Sequence, residues 1–344
     1  SEPLVVGTVS VLPGQAASGW LEVPAGRDPK TDPAVRIPVS VARGVRPGPV
    51  LALVAGTHGY EYTSILALQR LRPRLRPEAM SGAVILVHMA NPPAFHGRRI
   101  YTNADGRNLN RVYPGDPEGT ETERIAAALS RAVIDRATHL IDMHCGDGNE
   151  SLRPYSYWTV TGDRGLDETG REMALAYGLD HIVIDRERPK DPKKSMYTAT
   201  TAILRGKPAI TTESGGAGLT DDASVAAHEA GALGVIGRLG IMETPSVRVT
   251  RPVWVVRSEV VRAPAAGVWT PAVAKEQTVA GGALLGRITD PFGTLLHEVR
   301  APFAGEMLYV VATPPVAAGE PLAMVGETSE TLPAGLEAAG GRPE

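Results

Sequence analysis

The stretch Val50-Leu51-Ala52-Leu53-Val54-Ala55-Gly56-Thr57-His58-Gly59-Tyr60-Glu61 is the most informative part of the chain. Its first six residues form a continuous apolar run, which predicts a strand buried on both faces. The run ends in a glycine-containing loop that carries His58 and, three residues later, Glu61. Open α/β sheets build their sites at the carboxyl ends of strands. An imidazole and a carboxylate at this position therefore indicate a metal site.

Two other apolar segments end in residues of the same kind. Leu140-Ile141-Asp142-Met143-His144 provides a second histidine, and the segment from Pro208 to Gly216 places Glu213 after a strand. We expect His58, Glu61 and His144 to converge on one divalent ion, with Glu213 as a general base. Taken singly, the first two residues could instead cap the next helix, and the others could be ordinary strand-end groups.

A polar loop from Arg99 to Arg111 is rich in arginine and asparagine and contains Asp-Gly turn chemistry. The planar fork of an arginine binds a carboxylate at two points, so this loop suggests a site for an anionic substrate. Without the metal ligands, a solvated surface loop with scattered cations would explain it equally well.

Five segments together resemble the succinylglutamate desuccinylase/aspartoacylase family of the zinc carboxypeptidase superfamily. They are Gly56–Glu61, Asn91–Phe95, Asp105–Arg111, Asp142–His144 and Thr212–Gly216. The resemblance covers the chain in order from residue 45 to residue 330. Its most specific part is the Asn-Leu-Asn-Arg loop combined with His-x-x-Glu.

The resemblance implies a role for each matching residue. His58, Glu61 and His144 would hold one zinc ion, and Glu213 would serve as general base and proton shuttle. Asn110 and Arg111 would grip a substrate carboxylate, and Arg99 would polarise the scissile carbonyl, with Arg98 as its competitor. Manganese or iron is disfavoured, because two imidazoles and one carboxylate with a water suit zinc.

The leading functional hypothesis is a zinc amidohydrolase that removes an acyl group from an N-acyl amino acid or a similar small anionic amide. A zinc carboxypeptidase that acts on a peptide end would share the metal, the base and the carboxylate clamp. A non-catalytic binding protein on the same fold would lack a ligand or the base, and this chain has all of them.

Composition fits a soluble enzyme. The 344 residues are 43% hydrophobic and carry a formal net charge of -3, so no basic excess indicates nucleic acid. No apolar run reaches the ~18 residues of a membrane span. The single Cys145 excludes an intramolecular disulfide and is expected to pack behind the metal. We expect a cytoplasmic location or, if Ser1 marks a cleaved signal peptide, a periplasmic or secreted one; homo-oligomers are possible.

Alternating elements predict an α/β catalytic domain over residues 1–246, with a mixed, mostly parallel sheet covered on both faces. Short strands should fill the first 48 residues, and helices should run from Tyr62 to about Arg72 and from Glu121 to about Arg136. Tyr155 either donates a hydrogen bond to the substrate or packs with Tyr157 on one face of a strand. The charged segment 186–195 should be a mobile, solvated excursion.

Residues 247–328 predict a separate all-β module. The copies Arg262-Ala263-Pro264-Ala265-Ala266-Gly267 and Arg300-Ala301-Pro302-Phe303-Ala304-Gly305 resemble the two halves of a biotinyl- or lipoyl-type barrel. Lys275 lacks the flanking residues for cofactor attachment, so we expect the module to narrow access to the catalytic site instead. The tail 329–344 should be disordered.

Overall fold

The computed structural model describes residues 2–101 and 104–336. The described strands are β1 (Leu4–Val6), β2 (Val9–Val11), β3 (Ala16–Val23), β4 (Val35–Arg43), β5 (Arg46–Ala55), β6 (Ser81–Val87), β7 (His139–His144), β8 (Glu150–Leu152), β9 (Tyr155–Thr159), β10 (His181–Asp185), β11 (Ala209–Glu213), β12 (Val253–Arg262), β13 (Gly267–Pro271), β14 (Thr278–Val279), β15 (Leu284–Thr289), β16 (Leu295–Arg300), β17 (Gly305–Val311), β18 (Pro315–Val316) and β19 (Pro321–Ser329). The described α-helices are α1 (Tyr62–Leu71), α2 (Pro92–Gly97), α3 (Glu121–Leu129), α4 (Arg164–Tyr177), α5 (Thr198–Leu204) and α6 (Asp222–Arg238).

One large sheet runs through the molecule in the order β14-β17-β19-β12-β10-β9-β11-β7-β5-β6-β4-β3, and β8 pairs with β17. Strands β6, β5, β7 and β11 are parallel neighbours, as are β9, β10 and β12. These two parallel groups meet at the antiparallel pair β11 and β9. The predicted mixed, mostly parallel central sheet is confirmed.

Both faces of this sheet are covered, as the continuous apolar strands predict. On β5, Leu51 and Leu53 belong to the core that contains residues of α1, α4 and α6, whereas Ala52 and Val54 belong to the core that contains residues of α3 and α5. Side chains alternate along β7 in the same way. Its last residue, His144, therefore emerges on the α3 and α5 face of the sheet.

The two predicted helices form, with one difference. α1 runs from Tyr62 to Leu71, close to its expected end. α3 ends at Leu129 and continues as a π-helical turn over Ser130–Ile134. In this turn the Asp135 N–H donates to the Ser130 carbonyl, which also accepts from Arg205 at 3.0 Å. That second donor explains why the regular helical pattern stops at this residue.

The C-terminal region combines two sheets. Strands β16-β15-β13-β18 form an antiparallel four-stranded sheet. Its buried Trp269 and Leu285 share one core with Met307 of β17 and Leu322 of β19, which belong to the large sheet. Each Arg-Ala-Pro repeat leads into a strand, β13 and β17 respectively, as expected. The barrel-like all-β character is therefore confirmed.

The large sheet is continuous across the expected domain boundary. His181 of β10 pairs with Val253 of β12 in a parallel register, and β12 then pairs with β19. The division of the chain into domains at residue 246 stays a prediction. Beyond β19, Leu332 and Leu336 pack against the core that contains α1, α4 and α6. Residues 337–344 of the expected disordered tail lie outside the described residues.

Among the helices of the described residues, none is both long enough and apolar enough to cross a membrane.

Candidate metal centre and its cavity

The loop after β5 and the end of β7 bring three side chains together. Ligand atoms of His58, Glu61 and His144 all lie within 4.8 Å of one another. The His58 Nδ1 is 2.5 Å from Glu61 Oε1, and the His144 Nδ1 is 2.8 Å from Glu61 Oε2. The loop reaches this position because Gly59 approaches the chain closely: a Cβ there would lie 2.2 Å from the Arg99 carbonyl oxygen.

A second set of polar groups fixes the two imidazoles. The Nε2 of His58 lies 3.0 Å from Asn108 Oδ1, and the Nε2 of His144 lies 2.9 Å from Asp142 Oδ2. With each Nε2 hydrogen-bonded, both Nδ1 atoms face Glu61 and could bind one ion together with its carboxylate. Partners of this kind orient metal-binding histidines and raise their basicity. The donor set and its surroundings therefore fit a divalent transition metal.

The pKa shifts of His58 and Glu61 also suit a site that binds a cation. Burial lowers the pKa of His58, but the Glu61 carboxylate outweighs it and raises this pKa to about 9. Burial raises the pKa of Glu61, but His144 and His58 outweigh it and lower this pKa to about 2. The carboxylate thus stays ionised and attracts protons to its neighbours. A bound metal ion would take the place of those protons.

Glu213 lies beside the cluster on the same face of the sheet. In the register of the parallel pair β11 and β7, Glu213 is the partner of His144, and across the antiparallel pair β11 and β9 it is the partner of Tyr155. Burial raises the pKa of Glu213 well above its usual range, and the Glu61 carboxylate adds to this effect. Its buried Oε2 has no hydrogen-bond partner within residues 2–101 and 104–336. This carboxyl group is available to accept or hold a proton.

Asn110 and Arg111 occupy a short 3-10 turn, Leu109–Arg111, and differ in their surroundings. The Asn110 side chain is buried; its Oδ1 accepts from Thr198 N and Thr198 Oγ1 at 2.8 and 2.9 Å, and its Nδ2 donates to Asp142 Oδ2 at 3.0 Å. Arg111 is exposed and lines the cavity beside the cluster.

Arg99 is the expected site residue that the structure does not bring to the cluster. Its side chain is exposed and does not line the cavity, and the same holds for Arg98. Arg99 instead contributes its backbone, which donates to the Ala94 carbonyl at 3.0 Å and packs against Gly59. The role of Arg99 in polarising the substrate carbonyl stays a prediction.

A cavity of about 620 Å³ opens in front of the cluster. Tyr155 and Tyr157 both line it from β9, while Trp158 points to the opposite face and is buried in the core of α4 and α6. The tyrosines thus share one face of a strand, and that face is a cavity wall, while a hydrogen bond from Tyr155 to the substrate stays a prediction. The C-terminal strands contribute Tyr309 and Met324 to the lining.

Several residues that line the cavity, or lie behind its metal cluster, were not assigned a catalytic or binding role from the sequence. Asp142 could have been found, because a residue two positions before His144 on a strand shares its face. Asp147 and Glu150 form an acidic wall, where burial raises their pKa values to about 6 and about 8. Arg188 also lines the cavity, although the segment 186–195 was expected to be a solvated excursion, and so does Tyr197 just after that segment. No local sequence pattern indicates which residues of a long loop will lie at the cavity.

A buried imidazole and carboxylate cluster at the carboxyl ends of sheet strands, with a free carboxyl group beside it, defines a hydrolase-type metal site. Comparison with known proteins agrees with this class. The family model for the succinylglutamate desuccinylase/aspartoacylase catalytic domain matches residues 47–237. The chain belongs to this family, and it is a hydrolase that acts on amide bonds.

Individual relatives are similar over most of their length. The N-alpha-acetyl-L-2,4-diaminobutyric acid deacetylase of Halomonas elongata is 32% identical over 324 residues, which is 91% of this chain and 92% of that protein. The product-bound structure of the ectoine utilization protein EutE (DoeB) from Ruegeria pomeroyi is 27% identical, with a TM-score of 0.83 over 95% of this chain and 98% of that one. A succinylglutamate desuccinylase/aspartoacylase from Rhodobacter sphaeroides is 26% identical, with a TM-score of 0.80 over 91% and 96% of the two chains.

Proposed function

We propose that this protein is a zinc-dependent deacylase that removes a small acyl group, such as acetyl, from an N-acyl amino acid. The observation that carries the proposal is the cluster of His58, Glu61 and His144 with Glu213 beside it, inside a cavity sized for a small molecule. The similarity to a deacetylase of N-acetylated diaminobutyric acid supports an acetylated amino acid as the substrate.

The protein groups divide the chemistry among them. A bound zinc ion would supply Lewis-acid polarisation of the acyl carbonyl and lower the pKa of water at the site. The Glu213 carboxylate accepts a proton from that water at Oε2 and passes it to the nitrogen of the departing amine. Arg111 at the cavity wall holds an anionic group of the substrate, which places the amide carbon in front of Glu213.

The acidic wall favours a substrate that also carries a positive charge. Asp147 and Glu150 line the same cavity as the metal cluster, and among the described residues the Asp147 Oδ1 has no hydrogen-bond partner, with the His58 Nδ1 3.9 Å away. The elevated pKa values of both groups show that a nearby cation would stabilise their ionised forms. An N-acetyl diamino acid has such an ammonium group, so we propose this class first.

The second candidate, a carboxypeptidase, needs room for a peptide chain that leads away from the metal. Here Tyr309, Met324 and Val260 of the C-terminal strands stand on the cavity wall. At this position they would limit the space for a long acyl group, which supports the expected narrowing of access by this region. The deacylase is therefore the function that the geometry supports better.

The test is metal analysis combined with hydrolysis of N-acetyl-L-2,4-diaminobutyrate, N-acetyl and N-succinyl amino acids, and short peptides. We expect one zinc per chain, and preferred turnover of an N-acetyl amino acid. Glu213→Gln should retain zinc while kcat falls about 10²- to 10⁴-fold, the usual contribution of a general base. Glu187→Gln, an exposed carboxylate at the cavity margin, is the matched charge control.

Three results would each reject part of the proposal. Peptide cleavage without turnover of acyl amino acids would favour the carboxypeptidase. Protein that is purified without chelators and contains no zinc would reject the metal assignment. An unchanged kcat in Glu213→Gln would reject the general base.

A further inference from the structure

Tyr197 connects two cavity arginines that come from different segments. The guanidinium carbon of Arg111 lies 4.7 Å from the centre of the Tyr197 ring, and that of Arg188 lies 4.3 Å from the same point. The two guanidinium groups are therefore no further apart than these two distances combined. All three side chains line the cavity in front of the metal cluster.

Arg188 is held in place but has capacity for another partner. Its Nε donates to Asp185 Oδ2, which leaves its two terminal nitrogens without a hydrogen bond among the described residues. Its side chain is only 18% exposed. A second ring, Tyr157, lies 5.4 Å from the guanidinium carbon. A mostly buried guanidinium with two free N–H-bearing nitrogens toward a cavity is arranged to bind an anion in two-point fashion.

Asn110, by contrast, has little capacity left for a substrate. Its Oδ1 already accepts two hydrogen bonds from Thr198, which uses both lone pairs, and its Nδ2 donates to Asp142. A carboxylate needs donors, and the Asn110 nitrogen is committed to the group behind His144. The partner that Arg111 needs for binding a carboxylate must come from another segment.

We propose that Arg188 is a specificity-determining residue that, together with Arg111, binds the carboxylate of the substrate, and that Tyr197 holds the two guanidinium groups in register. Asn110 is then a positioning residue for Asp142 and His144. This inference rests on the proposed function, since it names the residues that read the carboxylate of an N-acyl amino acid. It predicts that the enzyme prefers a substrate with a free carboxylate over the same compound in which that carboxylate is a carboxamide.

The experiment compares two probes that differ in one group: N-acetyl-L-2,4-diaminobutyrate and the same compound with its carboxylate converted to a carboxamide. In Arg188→Gln, KM for the acid should rise about 10- to 100-fold, the value of a charge-assisted hydrogen bond pair. KM for the carboxamide should change less than about threefold, and kcat should stay near that of the unaltered protein. Arg188→Lys, which keeps the charge but not the fork, should recover part of the loss.

Two further measurements separate specific binding by Arg188 from a general effect of positive charge and from changes in turnover. Lys190→Gln removes a positive charge from an exposed side chain of the same segment, and KM for the acid should be unchanged. Binding of the acid probe is also measured by calorimetry in a Glu213→Gln background, which does not depend on turnover.

Each outcome decides between the inference and the proposed function. If hydrolysis proceeds and Arg188→Gln weakens acid and carboxamide equally, or neither, the inference is overturned and the deacylase stands. If the acid binds in an Arg188-dependent way but is not hydrolysed, the inference stands and the proposed function fails. If the acid neither binds nor reacts, both are overturned.

Discussion

Asp142 and His144 lie on one face of β7, with the Asp142 Oδ2 2.9 Å from the His144 Nε2. The same oxygen accepts a hydrogen bond from Asn110, and Asp142 is completely buried. The carboxylate therefore fixes the ring orientation of a residue that faces Glu61 with its other nitrogen. A carboxylate in this position increases the basicity of the imidazole and so its affinity for a metal ion.

Asp142→Asn is expected to weaken metal binding by about 10- to 100-fold, because the amide cannot supply the negative charge that polarises the imidazole. Competition with a chelator of known affinity measures this change directly. Asp222→Asn, at an aspartate whose side chain is 82% exposed on α6, is the matched control and should bind metal normally. Equal affinities for the Asp142 variant and the control would contradict the role of Asp142.

The half-buried His88 should make stability depend on pH. Burial, assisted by Arg72, lowers the pKa of His88 to about 4, from an ordinary value of 6.5. The unfolded chain then binds the proton more readily than the folded one. The stabilising contribution is present above pH 6.5 and is lost as the pH falls toward 4, by about 3 kcal/mol in total.

Urea unfolding of the native protein and of His88→Gln, at pH 7 and pH 5, measures this contribution. The variant should lose less unfolding free energy than the native protein over this interval, since its side chain does not titrate. His297→Gln, at an exposed histidine on β16, should behave as the native protein does. A His88→Gln variant with the native dependence on pH would show that other groups, such as the buried His228, account for it.

Arg153 links the central sheet to the C-terminal strands. It donates to Glu306 on β17 at 2.5 Å and to Asp180 before β10 at 2.8 Å, and it is 8% exposed. Arg153→Leu would leave the largely buried Glu306 carboxylate without its cation. We expect a loss of about 3 kcal/mol in unfolding free energy, the low end for a broken buried pair.

Thermal and urea denaturation test this expectation. Arg164→Leu, which breaks the exposed Arg164–Glu168 pair on α4, should cost less than about 1 kcal/mol. The double variant Arg153→Leu with Glu306→Leu should recover part of the stability, because no buried charge is left unpaired. Similar losses in the Arg153 and Arg164 single variants would mean that this link within the large sheet contributes little.

The sequence predicts the parts of the site that follow directly from a strand. His58, Glu61, His144 and Glu213 could be placed because an apolar run ends immediately before each of them or before their loop. Helices α1 and α3 follow from the spacing of apolar residues in the same way. The sequence pattern and the structure agree wherever a single short segment determines the element and the position of its site residue.

The positions of the other side chains near the site depend on contacts between segments that are distant in the sequence. Arg99 was assigned by its place in a motif, but the chain turns so that its backbone, rather than its side chain, supports the His58 loop. Arg188 comes to the cavity because Asp185 and two tyrosine rings hold it there. No periodic pattern in the sequence indicates the position of either arginine. The change of texture near residue 246 predicts a separate module, and this division stays a prediction; the texture gives no sign that β12 pairs with β10.

The parallel pairing of β10 with β12 has a consequence during synthesis. The edge of β10 is a run of buried apolar residues, and it has no partner until the segment Val253–Arg262 leaves the ribosome. β12 in turn is covered by β19, near the end of the described chain. An unpaired apolar edge is a template for association with other chains. The nascent protein is therefore exposed to aggregation until β19 has been made.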